Sequence, residues 1–158
     1  DVYKRQPHDY VLAEELENLQ RYAGVLNATD PDLTGLAASG TKLFYYHGLA
    51  DPLILQGRVR EYHADALART GAAQLARSTR FILVPGHGHC WEKPGQVADD
   101  FDPLEVIDQW VENGVAPDEV IAGYSGEGPH RSRRLCAYPR FARFKGGDSS
   151  SAENFDCN

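Results

Sequence analysis

An α/β fold, with parallel strands joined by crossover helices, is predicted by three features of the sequence. Residues 42–46 (KLFYY) and 80–84 (RFILV) are compact apolar runs, each followed by a glycine-containing loop. Between them lies a stretch whose apolar side chains recur at helical spacing. After the second run comes a second helical stretch that begins with a capping residue and a proline. Strand, loop, helix, strand, loop, helix is the rhythm of a doubly wound sheet.

Each element has a local reason. Asp30-Pro31 is suited to starting a short helix that buries Leu33 and Leu36, with Gly40 as a left-handed stop. Upstream, residues 10–19 also carry a helical pattern. The run at 42–46 sits between Gly40 and Gly48 and has the near-continuous apolar character of a buried parallel strand. In residues 56–70, Val59, Tyr62, His63 and Ala66 share one face and Gly71 supplies the stop. The run at 80–84 is ended by Pro85-Gly86. Asp102, Pro103 and Glu105 form a cap, a first-turn proline and a capping box, and Leu104, Ile107 and Val111 then lie on one face beside Trp110, up to Gly114. From Gly123 onward the sequence turns to Gly, Ser, Arg and aromatics without periodicity and reads as an irregular tail. Domain organisation follows: an ill-defined start over 1–26, an α/β body over 27–122, and a tail of the same domain over 123–158.

Composition bounds the function. With 158 residues, 42% apolar and 25% charged, the chain is one globular domain or part of one. A net charge of −7 offers no footprint for nucleic acid or an anionic membrane surface, and the Arg-rich stretch at 131–134 is short. No apolar run approaches the roughly 18 residues that a membrane span needs. The chain has no methionine and no leader-like start, so the natural beginning is expected to lie upstream, with DVYKRQ as an assembly scar. The three cysteines make an odd count, and in a secreted protein that points to a partner elsewhere.

The chemistry is expected where both loops meet, because ligands of doubly wound sheets gather at the carboxyl ends of the strands. HGLADP at 47–52 offers Asp51 and PGHGHC at 85–90 offers His89. An imidazole titrating near neutrality can take a hydroxyl proton and return it to a leaving alcohol, while a carboxylate on its other nitrogen orients it and stabilises the imidazolium. Taken singly, an Asp-Pro after a strand is ordinarily a turn and a histidine in a glycine-rich loop is as readily a surface residue. Together and in this order they match the acid and base of the α/β-hydrolase chain order, whose nucleophile precedes both and is expected upstream of residue 1. Ser125 in GYSGEG lacks the glycine spacing of a nucleophile elbow, and Ser39 precedes a strand. His87, His89 and Cys90 also invite a zinc reading, but no second cluster stands at ligand spacing, so no metal is expected.

The ordered blocks NATDPDL, KLFYYHGLADPLI, VPGHGHC, DQWVENGVAPDEVIA and RRLCAYPRFARFKG, closing at Cys157, resemble the C-terminal part of the tannase and feruloyl esterase family across residues 27–157. The resemblance implies the C-terminal part of an α/β-hydrolase catalytic domain, with Asp51 as triad acid and His89 as base. It implies hydrolysis of phenolic acid esters, feruloyl or galloyl, through an acyl-enzyme, on substrates that can be attached to plant cell-wall polysaccharide. It pairs Cys136 with Cys157 and joins Cys90 to a cysteine beside the nucleophile in missing sequence, and so implies a secreted, extracellular protein. It places no cofactor in these residues; the calcium of relatives sits in a lid outside them. Asn27-Ala28-Thr29 is a glycosylation acceptor motif. Two positions depart from the family pattern: Leu49, where relatives often carry an aromatic, and His87, where they often carry methionine. The competing reading is a non-catalytic binding or scaffold remnant of the same fold.

Overall fold

The computed structural model describes residues 11–89 and 95–158, apart from the side chains of Leu12 and Glu14. The chain divides into two units, residues 1–30 and residues 31–158. In the first unit, α1 (Leu12–Leu26) is seven residues longer at its C-terminal end than the pattern at 10–19 suggested. Leu16, Leu19, Tyr22 and Leu26 are exposed on it at helical spacing, and Asn27 follows as its C-cap.

The second unit opens with α2 (Thr34–Ala38), which begins later than Asp30-Pro31 suggested. Its N-cap is Leu33, without a side-chain cap bond; one residue earlier, Asp32 Oδ1 closes a local turn by accepting from the Thr34 N–H at 3.0 Å and the Thr34 hydroxyl at 2.5 Å. Leu33 and Leu36 are half-buried on this single turn and a half, not buried as expected. Gly40 has φ 79°, the left-handed stop its position called for.

β1 (Leu43–Gly48) and β2 (Thr79–Val84) pair in parallel, with Leu43 opposite Thr79 and Gly48 opposite Val84. The crossover runs through α3 (Gln56–Thr70), where the apolar spacing and Gly71 placed it, and then through α4 (Ala72–Ser78), a two-turn helix that the sequence reading passed over. β2 is the centre of the body: Phe81, Ile82 and Val84 are almost wholly inaccessible. β1 is less buried than expected, and Tyr46 remains 44% exposed. The difference follows from neighbours, since β2 is flanked by β1 on one side and, through the Ile82–Ala137 bridge, by a later segment of the chain on the other.

A buried aromatic cluster ties β1, α3 and β2 together. Tyr45 stacks on Phe81 at 4.6 Å between centroids, and its hydroxyl lies 2.5 Å from His63 Nδ1. Burial lowers the His63 pKa below the ordinary 6.5, so the ring is neutral and its Nδ1 accepts a hydrogen bond from the Tyr45 hydroxyl. The unfolded chain therefore protonates this imidazole more readily than the folded one. The histidine's contribution is complete above pH 6.5 and is lost as pH falls below it. Replacing His63 with Gln should flatten the fall in stability between about pH 7 and about pH 5 seen by denaturant unfolding; an unchanged slope would contradict this assignment.

α5 (Pro103–Asn113) has the expected cap, with Asp102 Oδ1 accepting from Leu104 N–H at 2.8 Å and Glu105 N–H at 3.3 Å. Its inward face differs from the expected one in part: Ile107 is half-buried. Leu104 and Val111 are 76% and 57% exposed, while Val106 packs against the core and Trp110 is buried under Arg80 and Lys42. The apolar positions allow either stripe, and the large indole decides which one is buried.

The region after α5 is also more regular than expected. β3 (Glu119–Gly123) pairs antiparallel with β4 (Ser132–Cys136), and β5 (Ala142–Phe144) with β6 (Phe155–Cys157). Val120 and Ala122 alternate inward from β3 and join Ile82, Val84, Ala98 and Leu135 in the main hydrophobic core. Cys136 and Cys157 form a disulfide across a separation of 21 residues. A loop of that size stabilises the fold by about 3 kcal/mol in the chain-entropy account. Among the described residues no helix is long and apolar enough to cross a membrane.

Candidate active site

Both candidate loops leave the carboxyl ends of β1 and β2 and are knitted together by their backbones. Leu49 N–H donates to Val84 C=O at 3.0 Å, and Ala50 N–H donates to His87 C=O at 2.9 Å. The close approach depends on Gly48, where an added Cβ would lie 2.2 Å from the His87 oxygen and 2.6 Å from the Gly88 oxygen. The register of two parallel strands is thus carried past their ends into the loops.

Asp51 and His89, 38 positions apart in the chain, meet there. His89 Nδ1 lies 2.9 Å from Asp51 Oδ2. Since a carboxylate can only accept, Nδ1 carries the proton, and in the neutral ring Nε2 is then the free base. Nε2 has no hydrogen-bonding partner among the described residues. The other carboxylate oxygen, Oδ1, accepts the N–H groups of Leu53 at 2.8 Å and Ile54 at 2.9 Å, so the Asp51-Pro52 turn is at once a turn and a holder for the acid. Burial raises the Asp51 pKa, but the Ile54 N–H, the His89 ring and the Leu53 N–H together outweigh it and bring the carboxyl down from 3.8 to about 2. The acid is therefore ionised at every pH at which the imidazole can work as a base. Asp51 is 8% exposed, whereas the His89 side chain keeps 31% of its surface.

The remaining candidates sit elsewhere. Ser125 Oγ donates to Asp99 at 3.3 Å, and Ser39 Oγ donates to the Leu36 carbonyl at 2.9 Å; neither is directed at His89. His87 Nδ1 lies 2.9 Å from the Gly88 carbonyl oxygen, which binds it to its own loop. Cys90, the third member of the zinc reading and the expected partner of a distant cysteine, lies outside the described residues. Among the described residues no group of three or more His, Cys, Asp or Glu is gathered as a metal would require. Leu49, one of the two departures, lines a small cavity of about 160 Å³ with Leu83, Pro85, Cys136 and Phe141, between the acid loop and the disulfide-closed region.

One neighbour was not singled out from the sequence. His47, two residues before the loop proper, places Nε2 2.8 Å from the Ile54 carbonyl oxygen and 3.9 Å from Asp51 Oδ2. It stands first in HGLADP and inside KLFYYHGLADPLI, but a histidine at a strand end has no special pattern.

Over 145 residues the chain is 37% identical to a probable feruloyl esterase of Arthroderma benhamiae, covering 89% of this chain and 27% of that protein. Over 137 residues it is 40% identical to the mono(2-hydroxyethyl) terephthalate hydrolase of Piscinibacter sakaiensis, covering 82% of this chain and 22% of that protein. The chain thus spans about a quarter of the length of these relatives. The crystal structure of an esterase from Aspergillus oryzae superposes with a TM-score of 0.80 over 98% of this chain and 34% of its own, at 23% identity, which shows the α/β-hydrolase fold. The family model for tannase and feruloyl esterase matches residues 2–158, and the chain belongs to that family.

Proposed function

We propose that these residues supply the acid and base of a serine-type carboxylic ester hydrolase acting on phenolic acid esters, with the nucleophile contributed from outside the 158 residues. The observation that carries the reading is the buried Asp51 carboxylate bonded at 2.9 Å to His89 Nδ1, which leaves Nε2 as the unprotonated nitrogen of the neutral ring at the carboxyl end of a parallel strand pair. In this arrangement Nε2 takes the proton of a serine hydroxyl as its oxygen attacks the ester carbonyl. Asp51 stabilises the imidazolium so formed. As the tetrahedral intermediate collapses, Nε2 returns the proton to the leaving alcohol and an acyl-enzyme remains. Water then repeats the cycle and releases the acid.

Family membership supports the ester hydrolase chemistry, and the names of the relatives support aromatic acyl groups as its class. The Cys136–Cys157 disulfide supports an oxidising, extracellular destination. Calcium, if the full-length protein holds it, belongs to parts of the protein beyond these residues. Asn27 is exposed after α1 and accessible to glycosylation in a secretory route. The test is hydrolysis of methyl ferulate and methyl gallate by the full-length protein, beside its His89→Ala variant. Turnover that falls by about 10⁴-fold or more in the variant supports the reading. A full-length protein inert toward both esters, or a variant as active as the parent, would sink it.

A further inference from the structure

We infer that His47 is a positioning residue for the acid of this site, acting on Asp51 through the backbone of Ile54. The inference rests on the proposed roles of Asp51 and His89 and adds a third member to them.

Four observations carry it. His47 stands at the penultimate position of β1, opposite Leu83 in the parallel register, and its side chain is 13% exposed. Its Nε2 lies 2.8 Å from the Ile54 carbonyl oxygen, which can only accept, so Nε2 carries a proton and Nδ1 is the unprotonated nitrogen of the neutral ring. The N–H of the same residue, Ile54, donates to Asp51 Oδ1 at 2.9 Å. Ile54 therefore has both backbone groups engaged, one by the acid and one by His47, and the whole turn from Asp51 to Ile54 is gripped from the rigid end of a strand. The grip falls where the fold needs it: α3 begins two residues later, and its N-cap, Leu55, provides no side-chain cap to fix the start of the helix.

The geometry also says what His47 does not do. Its Nε2–H lies 3.9 Å from Asp51 Oδ2, too far for a hydrogen bond, while His89 occupies that oxygen at 2.9 Å. The carboxylate is thus left to His89, and His47 fixes where that carboxylate stands. Positions of orienting groups matter at the scale of tenths of an ångström to an ångström, because a base displaced from its orienter loses its tautomer and direction.

The test uses two readouts. In the full-length protein, nitrogen-15 NMR of the histidine rings should show His47 as the Nε2–H tautomer and His89 as the Nδ1–H tautomer. A His47 ring protonated on Nδ1 in the unaltered chain overturns the inference without any mutation. His47→Leu removes the donor and should abolish the slowly exchanging His89 Nδ1–H signal, whereas His47→Gln keeps an N–H within reach and should retain it. A folded His47→Leu chain that keeps this signal overturns the inference as well. In the full-length protein, kcat on the ester should drop by about tenfold to a hundredfold in His47→Leu, with KM little changed and with recovery to within about threefold in His47→Gln. Equal kcat in the parent and the Leu variant would refute it. Failure of the esterase reading shows differently, as a parent without turnover whose ring tautomers are still as stated.

Discussion

Asp51→Asn should lower kcat of the full-length enzyme by about 10⁴-fold while leaving the fold intact. The size of the effect comes from a tautomer and not from lost contacts. In the parent, Oδ1 accepts two backbone N–H groups, from Leu53 at 2.8 Å and Ile54 at 2.9 Å, and Oδ2 accepts the His89 Nδ1–H at 2.9 Å. The amide of asparagine has one accepting oxygen, and the two backbone donors claim it. Its NH₂ group then faces His89, a donor against a donor. The ring relieves the conflict by moving its proton to Nε2, where it can no longer take one from a hydroxyl. The turn survives because its own hydrogen bonds do, so the variant should unfold at nearly the same denaturant concentration as the parent. Nitrogen-15 NMR should show His89 protonated on Nε2. A variant that retains kcat within tenfold of the parent would show that Asp51 is a turn residue and nothing more.

What could be read in advance follows from how local each cause is. The boundaries of α3 are visible because helical apolar spacing and a terminal glycine are both written within 16 residues. The cap of α5 is visible for the same reason. The face that α5 buries is not, because Leu104, Ile107 and Val111 compete with Val106 and Trp110, and only the site beneath Arg80 and Lys42 chooses between them. β3 through β6 were passed over because each is three to five residues long and their register depends on partners up to 17 residues away, as in Glu119 opposite Cys136. β4 in particular carries Arg133 and Arg134, which mask it as a strand until Glu119 and Tyr124 are seen to receive them. The site divides in the same way. Asp51 and His89 are legible because loops after parallel strands must converge, whereas His47 acts through a carbonyl, which a one-letter sequence does not display.

Gly48→Ala is the second large effect, and it tests whether the two loops form one structural unit. The substitution leaves every side chain of the site unchanged and adds a single methyl group at the last residue of β1. That methyl would stand 2.2 Å from the His87 carbonyl oxygen, 2.6 Å from the Gly88 carbonyl oxygen and 2.7 Å from the His87 carbonyl carbon. All three are backbone atoms, so no rotamer change removes the overlap, and the loop after β2 must move by about an ångström. Movement there strains the Ala50–His87 and Leu49–Val84 backbone bonds, both of which cross between the strand ends. It also carries His89, two residues further on, away from an Asp51 held by its own turn. Stability should fall by about 3 kcal/mol or more, the upper part of the range for overpacked sites, and the His89 Nδ1–H signal should be lost. A pocket-forming loop that was merely flexible would absorb the methyl group at little cost. Denaturant unfolding of the full-length protein separates the two: a midpoint within experimental error of the parent's would mean that acid and base loops adjust independently, whereas a large drop with loss of the proton signal means that the distance between Asp51 and His89 is set by the glycine's missing side chain.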